Sequence, residues 1–250
     1  MEDVRTETSP RVGRVFLSTE WRDLVMLNYQ VDPDLLLEYV PSGTELDFFN
    51  GATFISLVGF QFVRAKVLGA LPLAFHSDFD EINLRFYVRR REGNECRRGV
   101  AFIREIVPKR LIAQVARLAY GENYFYYPMR HRMNTKADSK TAEYEWRVDR
   151  KWCKLYAQGS GIPARPQAGT LEEFITEHYW GYSARRLGRS LEYRVSHTPW
   201  RVWISTEAGF EGDGTSTYGQ RLGGVINRRP DSAFIAEGSP VRIYMGRPIT

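Results

Sequence analysis

The stretch DEINLRFYVRRREGNECRRGVAFIREIV, residues 80–107, decides the fold class. Ile82, Leu84, Phe86 and Val88 alternate with Asn83, Arg85, Tyr87 and Arg89, the two-residue period of a β-strand whose successive side chains face opposite ways. A second run, RRGVAFIREIV, follows across the loop REGNEC, so the two predict an antiparallel hairpin. Working outward, TELDFFNGATFISLVGFQF (44–62) reads as two strand-like runs joined at Asn50-Gly51, the pair that favours a tight hairpin turn. AEYEWRVDRKWCKLYAQG (142–159) predicts a further hairpin turning near Asp149-Arg150, and SLEYRVSHTPWRVWISTEAGFE (190–211) predicts strands interrupted at Pro199. All of this pairing reads as antiparallel.

About three helices accompany the strands. DPDLLLEYVP (32–41) has Asp32 to cap it, Pro33 at its first position and Pro41 to stop it. PKRLIAQVARLAY (108–120) places Leu111, Val115, Leu118 and Ala119 on one helical face behind Pro108, ending at Gly121. TLEEFITEHYW (170–180) opens with a capping box, Thr170 to Glu173, and ends by Gly181. The glycine-rich segment 209–214 reads as a turn; it lacks the lysine and the strand-to-helix context of a phosphate loop. Several hairpins with about three helices predict an α+β protein whose sheet is long enough to curl into a barrel or cone.

The chain has 250 residues, 43% of them apolar and 14% aromatic, enough for a large core, and no linker divides it. A single domain over 1–250 is expected, with residues 1–15 a flexible polar lead. The start is charged throughout, unlike a secretory or transit segment, and no run approaches the length of a membrane span, so no membrane partner is expected. Cys96 and Cys153 form no metal-type pair, and a reducing cytoplasm without a disulfide between them fits best. The net charge of +5 is spread over short arginine clusters at 88–99, 129–133 and 182–189. With no nucleic-acid motif beside them, these read as solvated loop tips and argue against nucleic acid as a partner.

Polar side chains on strands supply the candidate site. If one face of the 80–107 hairpin points inward, Glu81, Asn83 and Arg85, with Glu105 by the same argument, line a cavity while Ile82, Leu84 and Phe86 pack outside under helices; the period allows the opposite choice, in which the charged residues form cross-strand or surface ion pairs. In EFITEHYWGYSARRLGRSLEYRVSHTPWRVW (173–203), His178 follows Phe174 by one helical turn and His197 stands beside the break at Pro199. Two histidines with Glu177 and Tyr182 can converge on a ligand carboxylate or supply acid and base near neutral pH; the plainer role is to satisfy orphaned backbone groups. Tyr182 and Trp200 are expected as apolar walls. His76, His131, His178 and His197 show no ligand spacing, so no metal is expected, and no cofactor is implied. YGENYFYYPMRHRM (120–133) reads as core packing, with His131 on a charged loop.

The segments TELDFFNGATFISLVGFQF, DFDEINLRFYV, AFIREIVPKRLIAQVARLAYGENYFYYPM, EFITEHYWGYS and SHTPWRVW, in that order, resemble the bacterial YqjF-like family, a domain of unknown function grouped with the acetoacetate-decarboxylase-like superfamily. The resemblance runs from about Trp21 to about Ile204 and implies a cone-shaped antiparallel β-barrel with a polar interior pocket, but no activity. The superfamily's parent enzyme acts through a Schiff-base lysine, kept neutral by desolvation or a neighbouring cation. REIVPKR is similar to its reactive segment, with Lys109 at the first lysine's place and Arg110 where the second cation stands, although the internal spacing departs from that pattern. Read from the residues alone, Lys109 sits in the first turn of a helix and carries its ammonium into water. The expected function is binding of a small anionic or keto-bearing organic molecule. The alternatives are a Schiff-base decarboxylase or related keto-acid enzyme using Lys109, and an interaction module for acidic partners. A homo-oligomer is left open.

Overall fold

The computed structural model describes residues 13–68, 71–72, 77–110, 123–184 and 189–249. Fifteen strands and two α-helices follow in order: β1 (Val15–Val31), β2 (Glu45–Leu46), β3 (Thr53–Val67), β4 (Leu71–Pro72), β5 (Phe79–Glu92), β6 (Glu95–Val107), β7 (Tyr124–Tyr126), β8 (Met129–Lys136), β9 (Ser139–Val148), β10 (Lys151–Ser160), α1 (Leu171–Thr176), β11 (Trp180–Ala184), β12 (Ser190–His197), β13 (Val202–Glu211), α2 (Gly214–Ile226), β14 (Ser232–Tyr244) and β15 (Arg247–Ile249). The architecture is mostly β, and among the described residues no helix is long and apolar enough to cross a membrane.

The strand path runs β15-β12-β11-β6-β5-β3-β1-β14-β13-β10-β9-β8, and β12 also pairs with β14. That last ladder, Val195↔Ile243 to His197↔Val241, joins β12, β11, β6, β5, β3, β1 and β14 into a ring. One face of the ring looks inward: Phe102 of β6 and Trp21 of β1 pack in one cluster with Leu191, Tyr193, Val195 and Val241 of β12 and β14. Its other face carries the largest core, in which Val25, Leu57, Ile82, Leu84 and Phe86 meet Tyr144, Trp146 and Leu155 of a second layer made by β8, β9 and β10. The layers meet closely at Gly59, where a Cβ would stand 2.8 Å from Ile82, Tyr144 and Leu155 at once.

The 80–107 hairpin forms as its alternation requires, with Ile82↔Ile106 through Glu92↔Glu95 in register and Gly93 at φ 59 in the turn. A bulge between Leu84 and Arg85 shifts the register, so that Asn83 faces Glu105 but Arg85 faces Phe102. Asn50 and Gly51 both take positive φ, 48° and 80°, between the paired Phe49 and Ala52, as the tight mirror-image turn demands. The run before that turn does not zip onto β3, however; β2 pairs with β5 instead. Asp149 and Arg150, at φ 46° and 69°, turn the β9–β10 hairpin.

Several expectations need correction. Two α-helices stand among the described residues, not about three. The segment 32–41 makes two single 3-10 turns, Pro33–Leu35 and Leu37–Tyr39, because the two prolines leave too few residues to propagate an α-helix. Most of the helix expected over 108–120, from 111 onward, and His76 lie outside the described residues. Thr170 caps α1 by accepting from the Glu173 amide at 3.3 Å, but the helix ends at Thr176, before His178. Asp213 caps α2 in the region read as a turn, and Gly219 at φ 78° breaks that helix midway. The pairing is not wholly antiparallel either, since β11 and β7 lie parallel to β6.

Candidate functional site

On β5 the polar row Glu81, Asn83, Arg85 and Tyr87 turns inward, while Ile82, Leu84 and Phe86 face the second layer, which is built of strands rather than the expected helices. The neighbouring β3 residues on the same face are Phe60, Val58 and Ser56, and Glu105 stands opposite Asn83. Glu81, Asn83, Arg85 and Glu105 are at most 7% exposed. Glu81 is held at two oxygens: Asn83 Nδ2 donates to Oε1 at 3.1 Å and Tyr124 OH to Oε2 at 3.2 Å. Among the described residues Asn83 Oδ1 has no hydrogen-bond partner.

Arg85 is the unusual member of the row. Among the described residues its Nη2 approaches only Met26 Sδ, at 3.9 Å, its guanidinium lies 5.8 Å from the Tyr87 ring, and its Nε finds no hydrogen-bond partner. Among the described residues no carboxylate lies within ion-pair distance of it. A cation shut away from water without a counter-charge is costly, so this arrangement suits a site that an anion completes.

The histidines approach from the end of α1 and from β12. His178 packs between Tyr87 (4.8 Å between ring centres) and Phe174 (5.1 Å), with Nε2 3.4 Å from Asp47 Oδ2. Arg98 Nε donates to the same Asp47 oxygen at 2.7 Å. Burial pushes the His178 pKa down to about 4 although the Asp47 hydrogen bond opposes it, so the ring is neutral at pH 7. Burial raises the Asp47 pKa, but the hydrogen bonds from His178 and Arg98 outweigh it and keep that carboxyl below its ordinary value. With Asp47 ionised and accepting, the imidazole proton sits on Nε2, which leaves Nδ1 bare, buried and without a partner among the described residues. His197 lies between Trp200 (4.3 Å) and Tyr179 (4.7 Å), its Nδ1 donating to the Thr198 carbonyl at 3.0 Å, the backbone role expected beside a proline break. Its pKa is lowered, first by burial, and both Arg85 and Glu177 act on it electrostatically. Trp200 is buried and donates to Ser239 Oγ at 2.9 Å.

Six of the expected residues, Glu81, Arg85, Glu105, His178, His197 and Trp200, therefore belong to the inward face or its rim. Tyr182 does not: it points to the opposite face, where its OH donates to Glu192 at 3.1 Å. Lys109 is half-buried just past the end of β6 and donates to the Asp78 carbonyl at 2.9 Å. His131 bridges to Asp80 at 2.9 Å from the edge strand β8. A cleft of about 160 Å³ lined by Leu35, Glu38, Tyr39, Tyr218 and Arg221 lies on the α2 side and includes none of the expected residues. Sequence reasoning missed Asp47, which nothing local marks, whereas Asn83's parity with Glu81 and Arg85 already placed it on the same face.

Comparison with known proteins follows the same lines. The family model DUF2071, described as an uncharacterized conserved protein, matches residues 18–240. The uncharacterized protein YqjF of Bacillus subtilis (strain 168) is 30% identical over 185 residues, 72% of either chain. Among solved structures, an acetoacetate decarboxylase from Legionella pneumophila superposes with a TM-score of 0.66 at 11% identity, over 98% of this chain and 93% of that one. The enduracididine biosynthesis enzyme MppR complexed with pyruvate gives 0.65 at 14% identity, over 98% and 95%. An acetoacetate decarboxylase-like enzyme from Sphingomonas wittichii gives 0.62 at 13%, over 99% and 98%. At these identities the likeness is one of fold.

Proposed function

The chain belongs to the DUF2071 family of uncharacterized conserved proteins, and from that premise we propose that it binds a small anionic or keto-bearing organic molecule inside its ring of strands, read as a closed, cone-like β-barrel. The observation that carries this reading is Arg85: a buried guanidinium with no carboxylate partner among the described residues, on the same face as the unpartnered Asn83 Oδ1 and His178 Nδ1. An apolar enclosure with a few converging polar groups is the usual plan of a small-molecule site. Here Phe60, Val58, Met26 and Trp200 supply the apolar part. Glu81, Glu105 and His197 complete the polar lining in this reading. Free Cys96 and Cys153 are compatible with the cytoplasm as its compartment. The test is calorimetric titration with short-chain carboxylates against the full chain and Arg85→Gln: the arginine's charge is expected to supply most of the affinity, and identical isotherms for both proteins would remove the proposal.

A second reading is supported by the placement of Lys109. It lies just beyond β6, the strand that carries Glu105, is half-buried, and follows Pro108 as a Schiff-base lysine of the acetoacetate-decarboxylase type would. Such a lysine adds to a keto acid's carbonyl carbon and expels water to give an iminium, which borohydride reduces to a stable secondary amine. Borohydride trapping across a keto-acid panel, followed by intact mass and peptide mapping, tests it; absence of an adduct at Lys109 excludes the role.

A further inference from the structure

Resting on the reading of Arg85 as a carboxylate anchor, we propose that the ligand is a hydroxylated carboxylic acid, whose hydroxyl donates to Asn83 Oδ1 or His178 Nδ1, rather than a keto acid of the same skeleton.

The orientation of each orphaned atom follows from its bonded neighbour. Asn83 is 2% exposed, and its amide meets Glu81 Oε1 at 3.1 Å. That carboxylate also receives the Tyr124 hydroxyl and accepts from both, so the amide nitrogen must face Glu81 and the oxygen must face away. His178 is 7% exposed, and Asp47, already bound by Arg98, takes its Nε2 proton. The remaining Nδ1 therefore offers only a lone pair. Both orphans are acceptors, and a buried acceptor left unmade carries the full cost of its lost water.

Their placement brackets the cation. Asn83 precedes Arg85 by one same-face step on β5, and His178 packs on Tyr87, one same-face step beyond. Same-face neighbours on a strand stand about 7 Å apart, within the reach of a three- to five-carbon acid whose carboxylate sits on Arg85. A ketone oxygen brought to either flank would set lone pair against lone pair. A hydroxyl there satisfies the orphan.

Calorimetry of the full chain at neutral pH with two matched sets, propionate, pyruvate and lactate, then butyrate, acetoacetate and 3-hydroxybutyrate, reads the preference directly. In at least one set the hydroxy acid is expected to bind about tenfold or more tighter than its keto partner, since a site built for a hydroxyl rejects analogues lacking it. His178→Gln keeps an amide N–H for Asp47 while deleting Nδ1, and Asn83→Leu deletes Oδ1. Whichever group accepts the hydroxyl, its variant should bring the hydroxy-to-keto affinity ratio to within about twofold, the larger loss falling on the hydroxy acid. Keto acids that bind as tightly as the hydroxy acids in both sets, with affinity still dependent on Arg85, would overturn the hydroxyl preference and leave the anion site standing. If none of the six acids binds, both readings fall together.

Discussion

Glu192 exposes no side-chain surface to water, yet it is ringed by Arg97 (2.9 Å), Arg247 (2.9 Å), Arg90 (3.5 Å) and the Tyr182 hydroxyl (3.1 Å). Removing one partner of such a cluster leaves uncompensated buried charge. Because the Arg247 side chain is itself 54% exposed, Glu192→Gln should lose about 3 kcal/mol, the low end for a broken buried pair. A chemical denaturation midpoint unchanged from the parent would show the arginines to be satisfied by solvent. A second residue makes stability depend on pH. The unfolded His178 titrates near 6.5 and the folded one near 4, so between these values the unfolded chain binds a proton that the native state refuses. Stability is therefore complete above about pH 6.5 and falls on acidification toward 4, by up to about 3 kcal/mol. Asp47, held below its ordinary value, adds loss in the same direction at lower pH. Denaturation curves between pH 4 and 7 should flatten in His178→Gln; a parent curve that is already flat there would contradict the buried, neutral ring. At this scale the sequence was half legible. The alternation of β5 exposed its polar row but allowed either face to turn inward, and Tyr182 was misplaced because Gly181 beside it offers no side chain to read. Gly181 is itself required by a contact between distant residues, since a Cβ there would meet the Tyr193 ring at 2.2 Å.

Among the elements, α1 joins local chemistry to the candidate site. It has six residues, too few to persist unaided, and it delivers Phe174 and Ile175 to the inner cluster before the chain turns out to His178. Its N-terminus is fixed by Thr170 Oγ1 on the Glu173 amide and by Glu173 Oε2 on the Gly169 amide. Thr170→Ala should cost about 1 kcal/mol in thermal or chemical denaturation, with Thr170→Ser recovering most of it. Equal losses for both substitutions would mean that the methyl group, not the cap, matters. Features of this kind, caps and tight turns, were readable because a few adjacent residues determine them: Thr170 with Glu173, Asn50 with Gly51, Asp149 with Arg150. Strand partners were not. β2 reaches β5 across thirty or more residues, and β11 joins β6 in parallel, through contacts that no local window contains. The helix α2 escaped notice because Gly219 divides its pattern into two pieces shorter than a recognisable period.

For the whole molecule, the basic excess is distributed rather than gathered. Arg89 pairs with Glu45, Arg132 with Glu143, Lys154 with Glu211 and Arg201 with Glu237, so strands present alternating signs rather than a cationic groove. Heparin affinity should fall less than about tenfold between about 50 and 200 mM salt, against the thousandfold or more of a protein that neutralises many phosphates. A steep salt dependence would favour the reading as a module for acidic partners. The ring makes a further demand. β1 is stitched to β3 over twelve residue pairs, whereas β12 meets β14 over three, Val195↔Ile243, Ser196↔Arg242 and His197↔Val241. Opening free energy follows the buried surface and hydrogen bonds that an opening must break, so the ring should part first at its two three-pair ladders, β12–β14 and β11–β6. Native-state hydrogen exchange is expected to show Ser196 and His197 exchanging through a sub-global opening, while amides in Val25–Val31 of β1 exchange only with global unfolding. If the ring interior holds an anion, a bound carboxylate should slow exchange at this seam, because parting β12 from β14 would admit water beside His197. Protection at Ser196 and His197 equal to that of β1, without any carboxylate present, would show that the β12–β14 ladder is not a weak point of the fold.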